Sequence, residues 1–220
     1  MIKAVLFDWD GTILDNYEVI MASYRDATTE VLGRSVPSTP EEESRLIRLR
    51  GQESFGSMSD DPDVVAQIAA AYHRAYLVNV EKAGVPFPGA REVLESLRDR
   101  GLQVGVVTSK ARVRYESDAA RFGLADLFAV AVTGDEAIEA KPHPGPVLLA
   151  MDQLGLPSEE VVFAGDGPQD VAAGNAAGAT SVGCRYGFHA DEIDEAGADH
   201  VIDALSDIVA LVDSLQSGRA

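Results

Sequence analysis

An α/β fold, built on a parallel sheet with an all-helical domain inserted into it, is predicted by three features of this 220-residue sequence. Short runs rich in Val, Ile and Phe alternate with segments of helical period. Glycines follow most of those helical segments, where a left-handed residue ends a helix at no steric cost. One connection near the amino terminus is too long for a single crossover helix.

The apolar runs are Ala4 to Phe7, Val104 to Thr108, Phe128 to Val132, Val161 to Ala164, Thr180 to Gly183 and His200 to Ile202. Most lack polar alternation, as strands covered on both faces do. Between them Ala90 to Arg100, Val113 to Phe122, Pro146 to Leu154, Asp170 to Ala177 and Ala204 to Leu215 read as helices, which completes the βαβ rhythm of a Rossmann-like sheet. The long connection contains no convincing strand. It offers helices at Tyr17 to Leu32, Glu41 to Leu49 and Asp63 to Glu81, with Pro37 to Pro40 and Gly51 to Pro62 read as punctuation. In the last helix Val64, Ile68, Ala71, Tyr72 and Ala75 recur at spacings of three and four, so it has an apolar stripe to bury. The expected organisation is a core of residues 1–15 and 84–220 and a helical cap of residues 16–83.

Composition narrows the function. With 36 Asp plus Glu against 18 Lys plus Arg the formal net charge is −18. Nucleic acid is therefore not an expected partner, because basic side chains supply most of the affinity for a phosphate backbone. A small phosphorylated ligand stays open, since a few local cations or one metal can reverse the field inside a cleft. The longest apolar run, Leu127 to Val132, is far shorter than a bilayer-spanning helix needs, and the apolar stretch before Asp8 is too short for a signal peptide, so no membrane association is expected. The single cysteine, Cys184, cannot form an internal disulfide, which fits a reducing, cytoplasmic setting.

The first strand runs into Asp8-Trp9-Asp10-Gly11-Thr12. On extended backbone Asp8 and Asp10 face one way and Trp9 the other. Two carboxylates so close repel unless a cation such as Mg²⁺ lies between them or one keeps its proton. The position is the carboxyl end of a parallel strand, where open sheets bind ligands. Alone, such a pair more often merely ends a strand or caps a helix. Three further elements arrive at other strand ends: Thr108-Ser109-Lys110, with hydroxyl and amide donors suited to phosphate oxygens; Lys141 followed by a proline-stiffened approach to a helix; and Gly165-Asp166-Gly167-Pro168-Gln169-Asp170, with two more carboxylates. The histidines His73, His189 and His200 have no ligand spacing, and His143 sits beside Lys141 in sequence.

Taken in order, D-x-D-G-T, T-S-K, K-P-x-P-x-P and G-D-x-x-x-D resemble the motifs of the haloacid dehalogenase superfamily of phosphohydrolases, over nearly the whole chain. The run Gly11 to Asp15 is similar to the phosphoglycolate phosphatase-like branch. The resemblance implies that Asp8 is the nucleophile and Asp10 the acid and base. It implies that Asp8, the backbone carbonyl of Asp10 and Asp166 hold Mg²⁺, with Asp170 binding through water or orienting the site. Thr108, Ser109 and Lys141 would then bind the phosphoryl group of a small metabolite, and Lys141 would restrain Asp8. Many members carry Ser or Thr where Gly167 stands, so a hydroxyl near the metal is missing here, a departure that bears on metal affinity or on the orientation of Asp170 and not on the reaction type. The cap is expected to read the leaving group, with Arg50 as the candidate anion reader beside Arg45 and Arg48. A phosphomutase would use the same motifs. A dehalogenase is disfavoured, because halide departure needs no acid at Asp10, and a non-catalytic binding protein would not need Asp8, Asp10, Lys141 and Asp166 together.

Overall fold

The computed structural model describes residues 1–49, 51–136 and 139–218, with the backbone alone at 51 and 52. The chain forms two compact units, one of Met1–Asp15 and Pro86–Ala220, the other of Asn16–Val85.

The first unit holds a six-stranded sheet. Its strands are β1 (Ala4–Phe7), β4 (Gln103–Val107), β5 (Val130–Val132), β6 (Val161–Gly165), β7 (Thr180–Cys184) and β8 (His200–Ile202), in the order β5-β4-β1-β6-β7-β8 and parallel throughout. The two-residue strands β2 (Leu14–Asp15) and β3 (Val85–Pro86) lie where the chain passes between the units. Both faces of the sheet are covered, which is why its strands carry no polar alternation. Val5, Phe7, Val104, Val106 and Val162 join one apolar layer with α5 (Ala90–Asp99) and α10 (Asp207–Ser217). Ala4, Leu6, Val107, Val161 and Phe163 join the other with α7 (Gly145–Leu154) and α8 (Pro168–Ala177). Along β1 the residues alternate between the layers with the strand period of two, and Trp9 continues the Val5 and Phe7 series. Pro168 in the first turn of α8 and Gly178 in left-handed conformation after it mark that helix's two ends.

The second unit is helical: α1 (Tyr17–Leu32), α2 (Pro40–Arg48), α3 (Gly51–Gly56) and α4 (Pro62–Ala83). Thr39 and Asp61 cap α2 and α4 by accepting from the amides of Glu42 and Asp63, and each helix has proline in its first turn. Tyr24 of α1 and Tyr72 of α4 stack at 4.6 Å between centroids, with Phe55 of α3 edge-on to Tyr72 at 5.4 Å.

Two elements correct the sequence reading. Residues taken as punctuation after Gly51 include α3, a six-residue helix whose one large apolar side chain, Phe55, is buried among those tyrosines. Packing of one ring selects a helix that a glycine at each end disguises. A single helical turn, α9 (Ala190–Ile193), precedes β8 and buries Ile193. Between β4 and β5 lies α6 (Arg112–Arg121). Among the described residues no helix is long and apolar enough to cross a membrane.

Candidate active site

The carboxyl ends of β1, β4 and β6 lie side by side in the sheet, and each delivers charged or hydroxyl groups to one place. Asp8 follows β1, and its amide donates to the carbonyl of Ala164 at 2.8 Å. Ligand oxygens of Asp8, Asp166 and Asp170 all lie within 4.8 Å of one another, and all three residues are buried. Lys141 Nζ is 2.7 Å from Asp8 Oδ1 and 2.6 Å from Asp170 Oδ1, and donates to the carbonyl of Val107 at 3.1 Å.

One ammonium cannot balance three carboxylates. Fully ionised, the three carboxylates leave two negative charges that the ammonium does not offset, in a poorly hydrated place. Burial, with repulsion from Asp170 and Asp10 against the pull of Lys141, pushes the Asp8 carboxyl up to about 7. Burial, then Asp170 and Asp8, push Asp166 well above the usual carboxylate range. For Lys141 burial works against the charged form, but Asp170 and Asp8 outweigh it and hold the ammonium charged. Three clustered carboxylate oxygens with excess negative charge are the donor set that a hard divalent cation such as Mg²⁺ takes.

Glycine lets backbone close on this cluster. Gly11 has φ +83°, and a Cβ there would stand 2.3 Å from Asp166 Oδ2. Asp166 accepts from the Phe188 amide at 2.7 Å and from Thr12 Oγ1 at 3.3 Å. Asp170 Oδ2 accepts from the Gly167 amide at 3.0 Å, so the backbone orients Asp170 at the position where a hydroxyl is missing.

Thr108 is buried at the end of β4, and its Oγ1 accepts from the Lys110 amide at 3.1 Å; Ser109 beside it is exposed. The side chain of Asp10 is partly exposed and its Oδ1 lies 2.7 Å from Lys110 Nζ. Lys110 Nζ also lies 2.5 Å from Asp118 Oδ2, a buried residue of α6 that belongs to none of the sequence motifs. His143 is half exposed and pairs with Glu139. Cys184 is fully buried with its thiol pushed up by burial, so it is no nucleophile. Arg50 lies outside the described residues.

A family model described as haloacid dehalogenase-like hydrolase matches residues 5–184. The chain is 29% identical over 195 residues to a phosphoglycolate phosphatase of Yersinia pseudotuberculosis, across 87% of this chain and 84% of the relative. It is 30% identical over 213 residues to pyrophosphatase PpaX of Bacillus pumilus, across 96% of each. A crystal structure described as a predicted phosphoglycolate phosphatase from Haemophilus somnus shares the fold, with a TM-score of 0.86 at 23% identity over 96% of this chain and 98% of that one.

Proposed function

The chain belongs to the haloacid dehalogenase-like hydrolase family and is a hydrolase, and from that premise we propose that it is a magnesium-dependent phosphatase. Its substrate would be a small phosphomonoester such as phosphoglycolate, and its phosphoryl acceptor Asp8. The observation that carries this reading is a carboxylate at the end of β1, ion-paired to a buried lysine, inside a cluster with more negative charge than that lysine balances.

Asp8 Oδ attacks phosphorus while the bond to the leaving oxygen breaks, and Asp10 gives that oxygen its proton. Water then attacks phosphorus of the aspartyl phosphate, Asp10 takes a proton from the water, and Asp8 is released with inorganic phosphate. Lys141 and Thr108 hold the equatorial oxygens, whose charge is the main thing such a transfer must accommodate. Asp8, the backbone carbonyl of Asp10 and Asp166 would hold Mg²⁺, which when bound offsets charge that the carboxylates would otherwise direct against the phosphoryl group. Asp170 orients Lys141 from behind.

Relatives named as a phosphoglycolate phosphatase and as a pyrophosphatase match this chain at similar overall identity, so a substrate panel is the test. Phosphate release with magnesium, ranked by kcat/KM over phosphoglycolate, sugar phosphates, nucleotides and pyrophosphate, should single out a small monoester. Excess chelator should abolish release, and calcium should not restore it, because its longer, more numerous contacts disturb the attacking carboxylate. Full activity in chelator overturns the metal assignment. Phosphate retained on the substrate as an isomer, instead of released, overturns the phosphatase reading.

A further inference from the structure

We propose that Lys110 is a positioning residue for Asp10, held in turn by the buried carboxylate of Asp118. The proposal rests on the reading of Asp10 as acid and base.

Lys110 Nζ stands between two carboxylates, 2.7 Å from Asp10 Oδ1 and 2.5 Å from Asp118 Oδ2. Its side chain is 2% exposed and that of Asp118 is 0% exposed, whereas Asp10 is 24% exposed. One end of this chain of charges is therefore sealed in the interior, and the other opens to where a substrate must arrive. Asp118 Oδ2 also accepts from Trp9 Nε1 at 3.3 Å. Trp9 is fully buried, edge-on to Tyr115 at 5.0 Å and to Phe128 at 5.7 Å. The residue that points away from the site thus anchors the carboxylate that steers its own neighbour, Asp10.

Stability alone does not account for the arrangement. Desolvating a buried ion pair offsets most of its attraction, and apolar side chains of similar volume usually serve as well or better. What an apolar pair cannot do is hold one oxygen of Asp10 in place. A general acid works only with its proton aimed at the leaving oxygen, and an unrestrained aspartate at a strand end samples several rotamers. Lys141 cannot supply this restraint, because its contacts go to Asp8, Asp170 and the Val107 carbonyl.

The test compares kcat/KM for the best alkyl phosphomonoester of the panel and for 2,4-dinitrophenyl phosphate, using the full chain with magnesium. Departure of an alkoxide needs the acid, whereas departure of the dinitrophenolate does not. Lys110→Met should lower the alkyl value by about 10- to 100-fold and the aryl value by less than about threefold. Asp118→Asn should show the same selectivity with a smaller loss. If Lys110→Met folds poorly because Asp118 is left uncompensated, the double variant Lys110→Met/Asp118→Asn removes that charge and should keep the selectivity. A merely structural lysine would depress both substrates alike, and equal losses, or none, overturn the proposal. Asp10→Asn is the reference. Selectivity in Asp10→Asn without selectivity in the Lys110 variants rejects the positioning role alone, while equal losses in Asp10→Asn reject the acid role of Asp10 and the proposal with it.

Discussion

Lys141 and Lys110 make the same local contact, an ammonium between two carboxylates, in connections beyond the strands of one sheet, and their surroundings differ. Lys141 faces Asp8 and Asp170 with Asp166 added to the cluster, so negative charge exceeds what the protein compensates. Lys110 faces Asp10 and Asp118, with a tryptophan N–H completing the inner end. The first cluster carries three buried carboxylates for its one ammonium. The second carries two, and the outer of them reaches solvent. A buried ion pair by itself therefore says little about function, and the count of charges around it says a great deal.

The largest expected effect separates the clusters by chemistry. Asp8→Asn should cost about 10⁴-fold or more in kcat/KM on every substrate, since an amide oxygen is too poor a nucleophile to take the phosphoryl group. Loss confined to poor leaving groups would move the nucleophile elsewhere. In the other cluster Asp10→Asn should show that selective pattern, and the two substrate profiles should not be interchangeable.

Stability should separate them next. Lys141→Met and Lys110→Met each strip a buried pair of its cation, at a cost of about 3–5 kcal/mol. Magnesium should narrow the gap to the parent protein for Lys141→Met, because Asp8, one of the two carboxylates left without its cation, is expected to bind the metal, and should leave the gap unchanged for Lys110→Met. Thermal unfolding with and without magnesium measures both. Equal recovery would mean that the metal binds outside the Asp8, Asp166 and Asp170 cluster.

Acidity offers a third separation. The Asp8 carboxyl, about 7 in the metal-free fold against an ordinary 3.8, keeps its proton over a range in which the unfolded chain has lost it. Its contribution is full below the unfolded value and is lost as pH rises through the folded one, so the metal-free protein should lose stability between about pH 4 and pH 7. Asp166, raised by burial and its carboxylate neighbours, acts in the same direction. Glu42, held below its ordinary value by the Ser38 amide and hydroxyl, acts in a different window, its contribution being lost as pH falls below the usual carboxylate range. Magnesium should flatten the upper slope, since it binds the ionised carboxylates. A slope unchanged by magnesium would count against the site.

The comparison also shows what a sequence can reveal. The strands were legible because β1, β4 and β6 are covered on both faces and so read as unbroken apolar runs. Asp8, Asp10 and Asp166 stood out in the sequence because they follow strands at the carboxyl edge of a parallel sheet, where open sheets bind ligands, whereas Lys141, nine residues past β5, and Asp170, inside α8, stood out only through the order of the motifs. Asp118 did not. It lies inside α6, eight residues beyond Lys110 and 109 beyond Trp9, and in sequence it is one more aspartate on a charged helix. Its burial depends on how α6 lies against the sheet, which no spacing encodes. The Phe188 amide that binds Asp166 was hidden for the same reason, being a backbone group of a loop 22 residues downstream. In the helical unit α3 was missed because its formation depends on a pocket of tyrosines, not on six residues of propensity.

The smallest effect worth measuring is that of Trp9→Phe. Phenylalanine keeps an aromatic face toward Tyr115 and Phe128 but removes the N–H that reaches Asp118. At 3.3 Å that bond is long, and its acceptor oxygen still holds Lys110, so the charged acceptor is not abandoned. A hydrogen bond to a charged group is worth about 1.5–3 kcal/mol, and a long, shared one belongs at or below the lower end. Trp9→Phe should therefore lower stability by about 1–2 kcal/mol, including the space left by the smaller ring. Selectivity against alkyl substrates should change by less than about threefold, because Lys110 and Asp118 still face each other. Magnesium should not recover the lost stability, as it should for Lys141→Met. A tenfold loss of alkyl turnover would make the indole a full partner in aiming Asp10, and would draw the boundary of the acid–base machinery one residue deeper into the fold.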